Sequence, residues 1–230
     1  GNITSWKYWK LCYPNEYNFG LIGVTGGFFK EKLQSASICS RYTLLKTTED
    51  DGVDTSIFIY KVEELESWIS SGHYDTSWFN TTKTEYVLTK PEELAGLSAI
   101  FAGITDITPE DFYYYDAVND FTDAKPIYLG ADMDLGKYTW YPIDNFYGYL
   151  IGNGHTIKNI KLGEVSCVYS VENDCYNCGF ISAINYEYGA VLNDINIEAS
   201  LDLSLLDGIY YIGGLVGDLD YTTTFNIDVH

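Results

Sequence analysis

Gly148-Tyr-Leu-Ile-Gly-Asn-Gly-His-Thr-Ile-Lys-Asn-Ile-Lys-Leu162 is the stretch that decides the fold, because its pattern returns downstream. Thr156-Ile-Lys-Asn-Ile-Lys-Leu162 aligns with Val191-Leu-Asn-Asp-Ile-Asn-Ile197 at an offset of 35 residues. Cys178-Gly-Phe-Ile-Ser-Ala-Ile184 aligns with Gly213-Gly-Leu-Val-Gly-Asp-Leu219 at the same offset. Short apolar runs punctuated by glycine and repeated at that period predict stacked coils, none of which can bury its apolar face alone. The expected class is mostly β.

Outward from this stretch the strand pattern continues. Ile127, Leu129, Met133 and Leu135 alternate with residues that face the other way. Trp140-Tyr-Pro-Ile143 reads as a turn, and Asp218–Val229 as a last coil after which a further one is expected. Near the start, Phe19–Phe29 is glycine-punctuated in the same manner, while Thr43–Leu45 and Ser56–Tyr60 read as strands. Two or three helices are predicted against this background. Val62, Leu65, Trp68 and Ile69 share a helical face that stops at Gly72. Thr89-Lys-Pro-Glu92 is a capping box with proline in the first turn, followed by Leu94, Leu97, Ala99, Ile100 and Phe101 before Gly103. Thr108-Pro-Glu-Asp111 repeats that signal and predicts a shorter helix running into Phe112–Tyr115.

Charge narrows the function classes. The 230 residues carry 13 Lys+Arg against 33 Asp+Glu, a net charge of −20, and Arg41 is the lone arginine. Phosphate backbones need a basic footprint, so nucleic acid is not an expected partner, and anionic membrane surfaces would repel the chain. No segment approaches the ~18 apolar residues of a membrane helix, so no membrane insertion is expected. Gly1 suggests a mature product or a piece of a longer chain, with neighbouring domains as partners.

The cysteines are Cys12, Cys39, Cys167, Cys175 and Cys178, an odd number that forbids complete internal pairing. Cys175-Tyr-Asn-Cys178 has the CxxC spacing of a metal knuckle, yet no second CxxC or histidine pair supplies the remaining ligands. Structural cysteines are the default; a local disulfide of Cys167 with Cys175 or Cys178 is the alternative.

From about Trp78 to Val229 the chain resembles the GLUG-motif β-helix modules of bacterial surface proteins. Thr84–Leu97 looks like the strand and capping helix that open such a module, and Ile127–Leu135 like its first rung. Trp140-Tyr-Pro-Ile143 looks like the turn that follows, and Phe146–Ile157 like the rung bearing Gly-x-Gly-His-Thr-Ile. Gly213-Gly-Leu-Val-Gly217 matches the naming motif, with Cys178-Gly-Phe-Ile181 a weaker copy. The departures are Val165–Asn177, inserted between rungs, and Ile104–Asp120, which lengthens a loop. The resemblance implies a right-handed parallel β-helix with an N-terminal capping helix near 90–102 and one or two further short helices. On this reading residues 78–230 are the module. Residues 1–77 are the tail of a preceding one, or elements packed on the main one.

The resemblance further implies a non-enzymatic adhesion module, secreted or on the bacterial cell surface, that binds a host glycan or host protein. A spacer segment of a long surface protein is the alternative. Candidate contact platforms are Tyr113, Tyr114, Tyr115, Trp140, Tyr141, Tyr147, Tyr149, Tyr210 and Tyr211, whose rings combine an apolar face with a polar tip. Packing between strands is the competing role for each. His155 reads as a rung residue. A carbohydrate-active enzyme would need two carboxylates about 5–9.5 Å apart, for which Asp132 and Asp134 are the best pair. No cofactor is expected; calcium at Glu49–Asp54 or Asp132–Gly136 is the alternative, although neither is an EF-hand loop.

Overall fold

The computed structural model describes residues 27–29, 42–46, 60–64, 66–116, 121–170, 175–184, 189–202, 210–219 and 223–229. The described residues open with an antiparallel sheet of β1 (Gly27–Phe29), β2 (Tyr42–Lys46) and β3 (Tyr60–Glu64), with β3 in the middle. Next come β4 (Tyr86–Leu88), helix α1 (Pro91–Phe101), a single 3-10 turn at Pro109–Phe112, and the antiparallel pair β5 (Tyr113–Asp116) and β6 (Phe121–Ala124). The main run follows as β7 (Ile127–Leu129), β8 (Met133–Asp134), β9 (Gly148–Ile151) and β10 (Thr156–Leu162). After it lie β11 (Cys167–Ser170), β12 (Cys175–Cys178), β13 (Ile181–Ala183) and β14 (Ala190–Leu201). The last strands are β15 (Tyr210–Ile212), β16 (Val216–Asp218) and β17 (Thr223–Val229).

One parallel sheet dominates. Its order is β4-β7-β9-β14-β10-β8, with β17 also on β14, and it is curled into a half-barrel. The curl has a local cause. Ala190–Asn193 of β14 pair with β9, whereas Asn196–Leu201 pair with β10, so the strand turns a corner between them. Asp194 sits at that corner in the left-handed region (φ 52°), and Asn153 (φ 54°) and Gly154 (φ 79°) turn the same corner one coil earlier. Asn159 (φ 58°) marks the register shift within β10. Asparagine and aspartate reach this region at lower cost than other side chains, because their short polar groups bond locally. Coils stack tightly here: a Cβ on Gly152 would overlap the Asp194 carbonyl.

Parallel register places apolar residues in inward columns. Tyr86, Ile127, Leu150 and Leu192 follow one another across β4, β7, β9 and β14, and Met133, Ile157 and Ile197 across β8, β10 and β14. A third column runs from Ile143 to Ile181 to Val216, with Phe146 beside Ile184. All are buried, and each aliphatic side chain so removed from water contributes roughly 1.5–3 kcal/mol. Helix α1 buries Leu94, Leu97, Ile100 and Phe101 in the same core, and the Ser98 hydroxyl donates to the Tyr141 carbonyl at 2.8 Å.

Several sequence expectations are met and others corrected. The second predicted helix is α1, but its cap is displaced by one residue. Glu93, not Glu92, reaches back, accepting the Thr89 and Lys90 amides at 2.6 and 3.2 Å. The first predicted helix does not form. Val62 belongs to β3, paired with Gly27 and Leu44, and Trp68 lies in a turn where its indole donates to the Leu135 carbonyl at 3.1 Å. The third is cut to the 3-10 turn. Asp111 accepts from the Thr108 amide at 2.9 Å, but the three tyrosines after Phe112 join strand β5, as aromatic residues prefer. Ile181 pairs with Val216, as the 35-residue alignment requires, while Thr156 pairs with Asn196 rather than Val191. Most of Phe19–Phe29 and Ser56–Tyr60, and the acidic run 49–54, lie outside the described residues.

Overpacking a tight coil contact costs about 1–3 kcal/mol. Gly152→Ala is therefore expected to lower the urea midpoint without changing the slope. An unchanged midpoint would contradict the corner contact.

Candidate functional site

After β10 the chain leaves the half-barrel. Gly163 ends the strand, the Ser166 hydroxyl donates to the Trp140 carbonyl, and β11 begins. Strand β11 returns antiparallel as β12, with Cys167 opposite Cys178, Tyr169 opposite Tyr176 and Ser170 opposite Cys175. A disulfide joins Cys167 to Cys178 across this hairpin. This is one of the two local pairings weighed from sequence, and by loop closure it contributes roughly 2–3 kcal/mol. Cys175 is not part of it; its buried thiol lies 3.6 Å from the Asn177 side-chain oxygen. Strand β15 then adds in parallel to β12, placing Tyr210 beside Tyr176 and Ile212 beside Cys178.

The result is a row of three half-buried tyrosines, one from each strand. Tyr169 and Tyr176 meet edge to face with centroids 5.2 Å apart, and Tyr176 and Tyr210 stack at 5.3 Å and 17°. Cross-strand aromatic pairs of this kind are worth about 0.5–1.5 kcal/mol beyond the area they bury. Tyr211, next along β15, is 48% exposed. Tyr210 and Tyr211 came from sequence reasoning; Tyr169 and Tyr176 did not. Their signal was position, since both lie in the segment Val165–Asn177 that departs from the repeat.

The other aromatic candidates scatter. Trp140 and Tyr141 are corrected to core residues. Trp140 is fully buried, stacked on Phe180 at 4.9 Å, with its indole donating to the Phe180 carbonyl at 2.8 Å. Tyr141 is buried with Ile69, Ala99 and Val165. Neither can meet a ligand, because the apolar contacts that hold the coils together already cover both rings. Tyr147 is half-buried edge-on to Phe101 at 5.5 Å, and Tyr149 takes a half-buried outward position of β9. Tyr113, Tyr114 and Tyr115 lie on β5, with side chains outside the described residues.

The carboxylates Asp132 and Asp134 both face solvent, as expected from their alternation, but each is engaged in bracing a turn. Asp132 accepts the Thr156 amide at 3.1 Å and lies 3.2 Å from His155 Nδ1; Asp134 accepts the Gly136 amide at 3.0 Å and Asn159 at 2.9 Å. These bonds hold both below the usual aspartate range, Asp132 chiefly through the Thr156 amide and Asp134 chiefly through the Gly136 amide. Asp144 goes the other way. Desolvation raises it, opposed by the Ser182 hydroxyl, which donates at 2.6 Å. Among the described residues no group of three or more His, Cys, Asp or Glu is placed to hold a metal ion. A groove of about 600 Å³ is lined by Lys161–Val165, Ser200–Asp202, Thr139 and Glu66. Its lining comes from separate coils, so no local motif could announce it.

No protein-family model, curated protein or solved structure matches this chain.

A carboxylate whose pKa falls on folding stabilises the fold above its unfolded value of about 3.9, and that contribution is lost as pH drops through the folded value. The double variant Asp132→Asn, Asp134→Asn is expected to melt below the parent at pH 7, with the difference closing beneath about pH 4. Thermal melts from pH 7 to pH 2 check this; a constant difference would contradict the bracing role.

Proposed function

We propose that this chain is a non-enzymatic binding module of a secreted or surface-attached bacterial protein, built as a capped right-handed parallel β-helix of the GLUG-motif kind. The proposed ligand is a host glycan or a host protein, and the proposed contact surface is the small sheet β11-β12-β15. The observation that carries this reading is the row Tyr169–Tyr176–Tyr210, set 5.2–5.3 Å apart on three strands, two of them joined by the Cys167–Cys178 disulfide. Aromatic rings fixed by a rigid frame lose little entropy on binding and offer apolar faces to sugar rings or side chains.

Parallel pairing of β4, β7, β9, β14, β10, β8 and β17 and the buried columns support the β-helix. The disulfide supports an oxidising compartment outside the cytoplasm. No described helix is long and apolar enough to cross a membrane. A carbohydrate-active enzyme draws less support, because Asp132 already accepts the Thr156 amide of the next coil and Asp134 the Gly136 amide of its own turn, and both are poor proton donors near neutral pH.

A second reading, a structural spacer between neighbouring domains, is favoured by one specific observation. Trp140 and Tyr141 are buried and Tyr147 is packed on Phe101, so most of the described aromatic clusters serve the fold.

A glycan-array and host-protein screen of the chain decides between the two. The binding reading expects at least one ligand whose affinity falls about tenfold or more in Tyr176→Ala, the loss of a central aromatic contact. Binding to nothing, or binding indifferent to Tyr176→Ala, would leave the spacer.

A further inference from the structure

Asn80-Thr-Thr82 forms a turn ahead of β4, and all three of its residues are exposed. Its backbone is nonetheless held from below. The Asn80 carbonyl accepts the Lys83 amide at 3.0 Å and the Tyr86 hydroxyl at 3.0 Å. The buried Lys125 ammonium donates to the Thr81 carbonyl, also at 3.0 Å. Beneath the turn, Tyr86 meets Trp78 and Phe112 edge to face, each with centroids 5.3 Å apart. The main chain is therefore anchored in the core while the Asn80 side chain stays outside it.

The Asn80 amide is oriented by the residue two positions on. Its Oδ1 accepts both the Thr82 amide and the Thr82 hydroxyl at 2.9 Å. Two donors identify that atom as the oxygen, so Nδ2 is the open end of the side chain. Among the described residues Nδ2 has no protein partner. Asparagine, then any residue but proline, then serine or threonine is the acceptor pattern for N-linked sugar, carried on surface loops of exported proteins. The pattern occurs twice, at Asn80-Thr-Thr82 and at Asn2-Ile-Thr4, the latter outside the described residues. A pattern of three residues arises easily by chance; an exposed, anchored turn with its amide nitrogen open is the context that the chemistry needs. The Cys167–Cys178 disulfide fits the same exported setting.

We propose that Asn80 is an acceptor site for N-linked sugar. Asn80 Nδ2 bonds to the anomeric carbon of a diphosphate-activated sugar, brought on a lipid or a nucleotide carrier by a transferase that reads the pattern. The bond from that carbon to the diphosphate oxygen breaks, the diphosphate leaves with the electron pair, and one Nδ2 proton passes to a base of the transferase. The sugar extends from the turn into solvent and leaves the anchored backbone in place. The site shares no residue with the tyrosine row, so either reading can fail without the other.

The test has two arms, both read by peptide mass spectrometry. In one, the purified full chain meets a nucleotide-sugar N-glycosyltransferase and UDP-glucose. In the other, the full chain is secreted by cells whose transferase uses a lipid-linked oligosaccharide. Sugar on Asn80 is expected in at least one arm, and the arm that delivers it names the carrier. It is expected to be lost in Thr82→Val, which removes the hydroxyl and keeps the bulk, and to return in Thr82→Ser. The sugar-bearing chain is expected to melt no lower than the parent. Asn80 bare in both arms would overturn the proposal. So would equal occupancy in Thr82→Val, or a sugar that unfolds the chain.

Discussion

Parallel strands two to twelve residues long cannot stand alone. Each must find on the next coil the partners for its backbone N–H and C=O groups, and that constraint governs the whole molecule. Satisfying it in parallel register aligns every second side chain with its counterpart one coil away. The columns from Tyr86 to Leu192 and from Met133 to Ile197 are the direct consequence, and they form the core. The helix and the turns are arranged around this need. Asp194 and Asn153 take left-handed conformations where the chain changes direction, and Asn159 takes one at the register shift within β10.

The constraint lapses in one excursion. Between β10 and β13 the chain departs from the half-barrel, makes an antiparallel hairpin and returns. Within that excursion a disulfide does the stabilising that aliphatic columns do elsewhere. Its tyrosines are then released from core packing, unlike Trp140 and Tyr141, which sit where coils meet. Position relative to the stacked coils, rather than aromatic content, separates rings buried where coils meet from rings left half-buried.

The strand content, the inward residues of β7 and β8, the helix after Pro91 and the Ile181–Val216 register were legible in sequence, because alternation and helix-start signals are local. What failed depended on distant partners. The Val62–Ile69 pattern fits a helical face, yet β1 and β2 take Val62 into a sheet. The 35-residue alignment of Thr156–Leu162 sets the left-handed Asn159 on the left-handed Asp194, a likeness of local conformation, whereas pairing across the sheet sets Thr156 against Asn196. At the candidate site, Tyr210 and Tyr211 were found through their adjacency. Tyr169 and Tyr176, seven residues apart, become neighbours only through the hairpin.

The register of the stacked coils is tested most directly by methyl NOE spectroscopy on Ile, Leu and Val methyl-labelled protein. Cross-peaks are predicted between Leu150 and Leu192, between Ile127 and Leu150, and between Ile157 and Ile197. A pattern in which Ile157 contacts Leu192 and not Ile197 would contradict this register and restore the uniform 35-residue repeat.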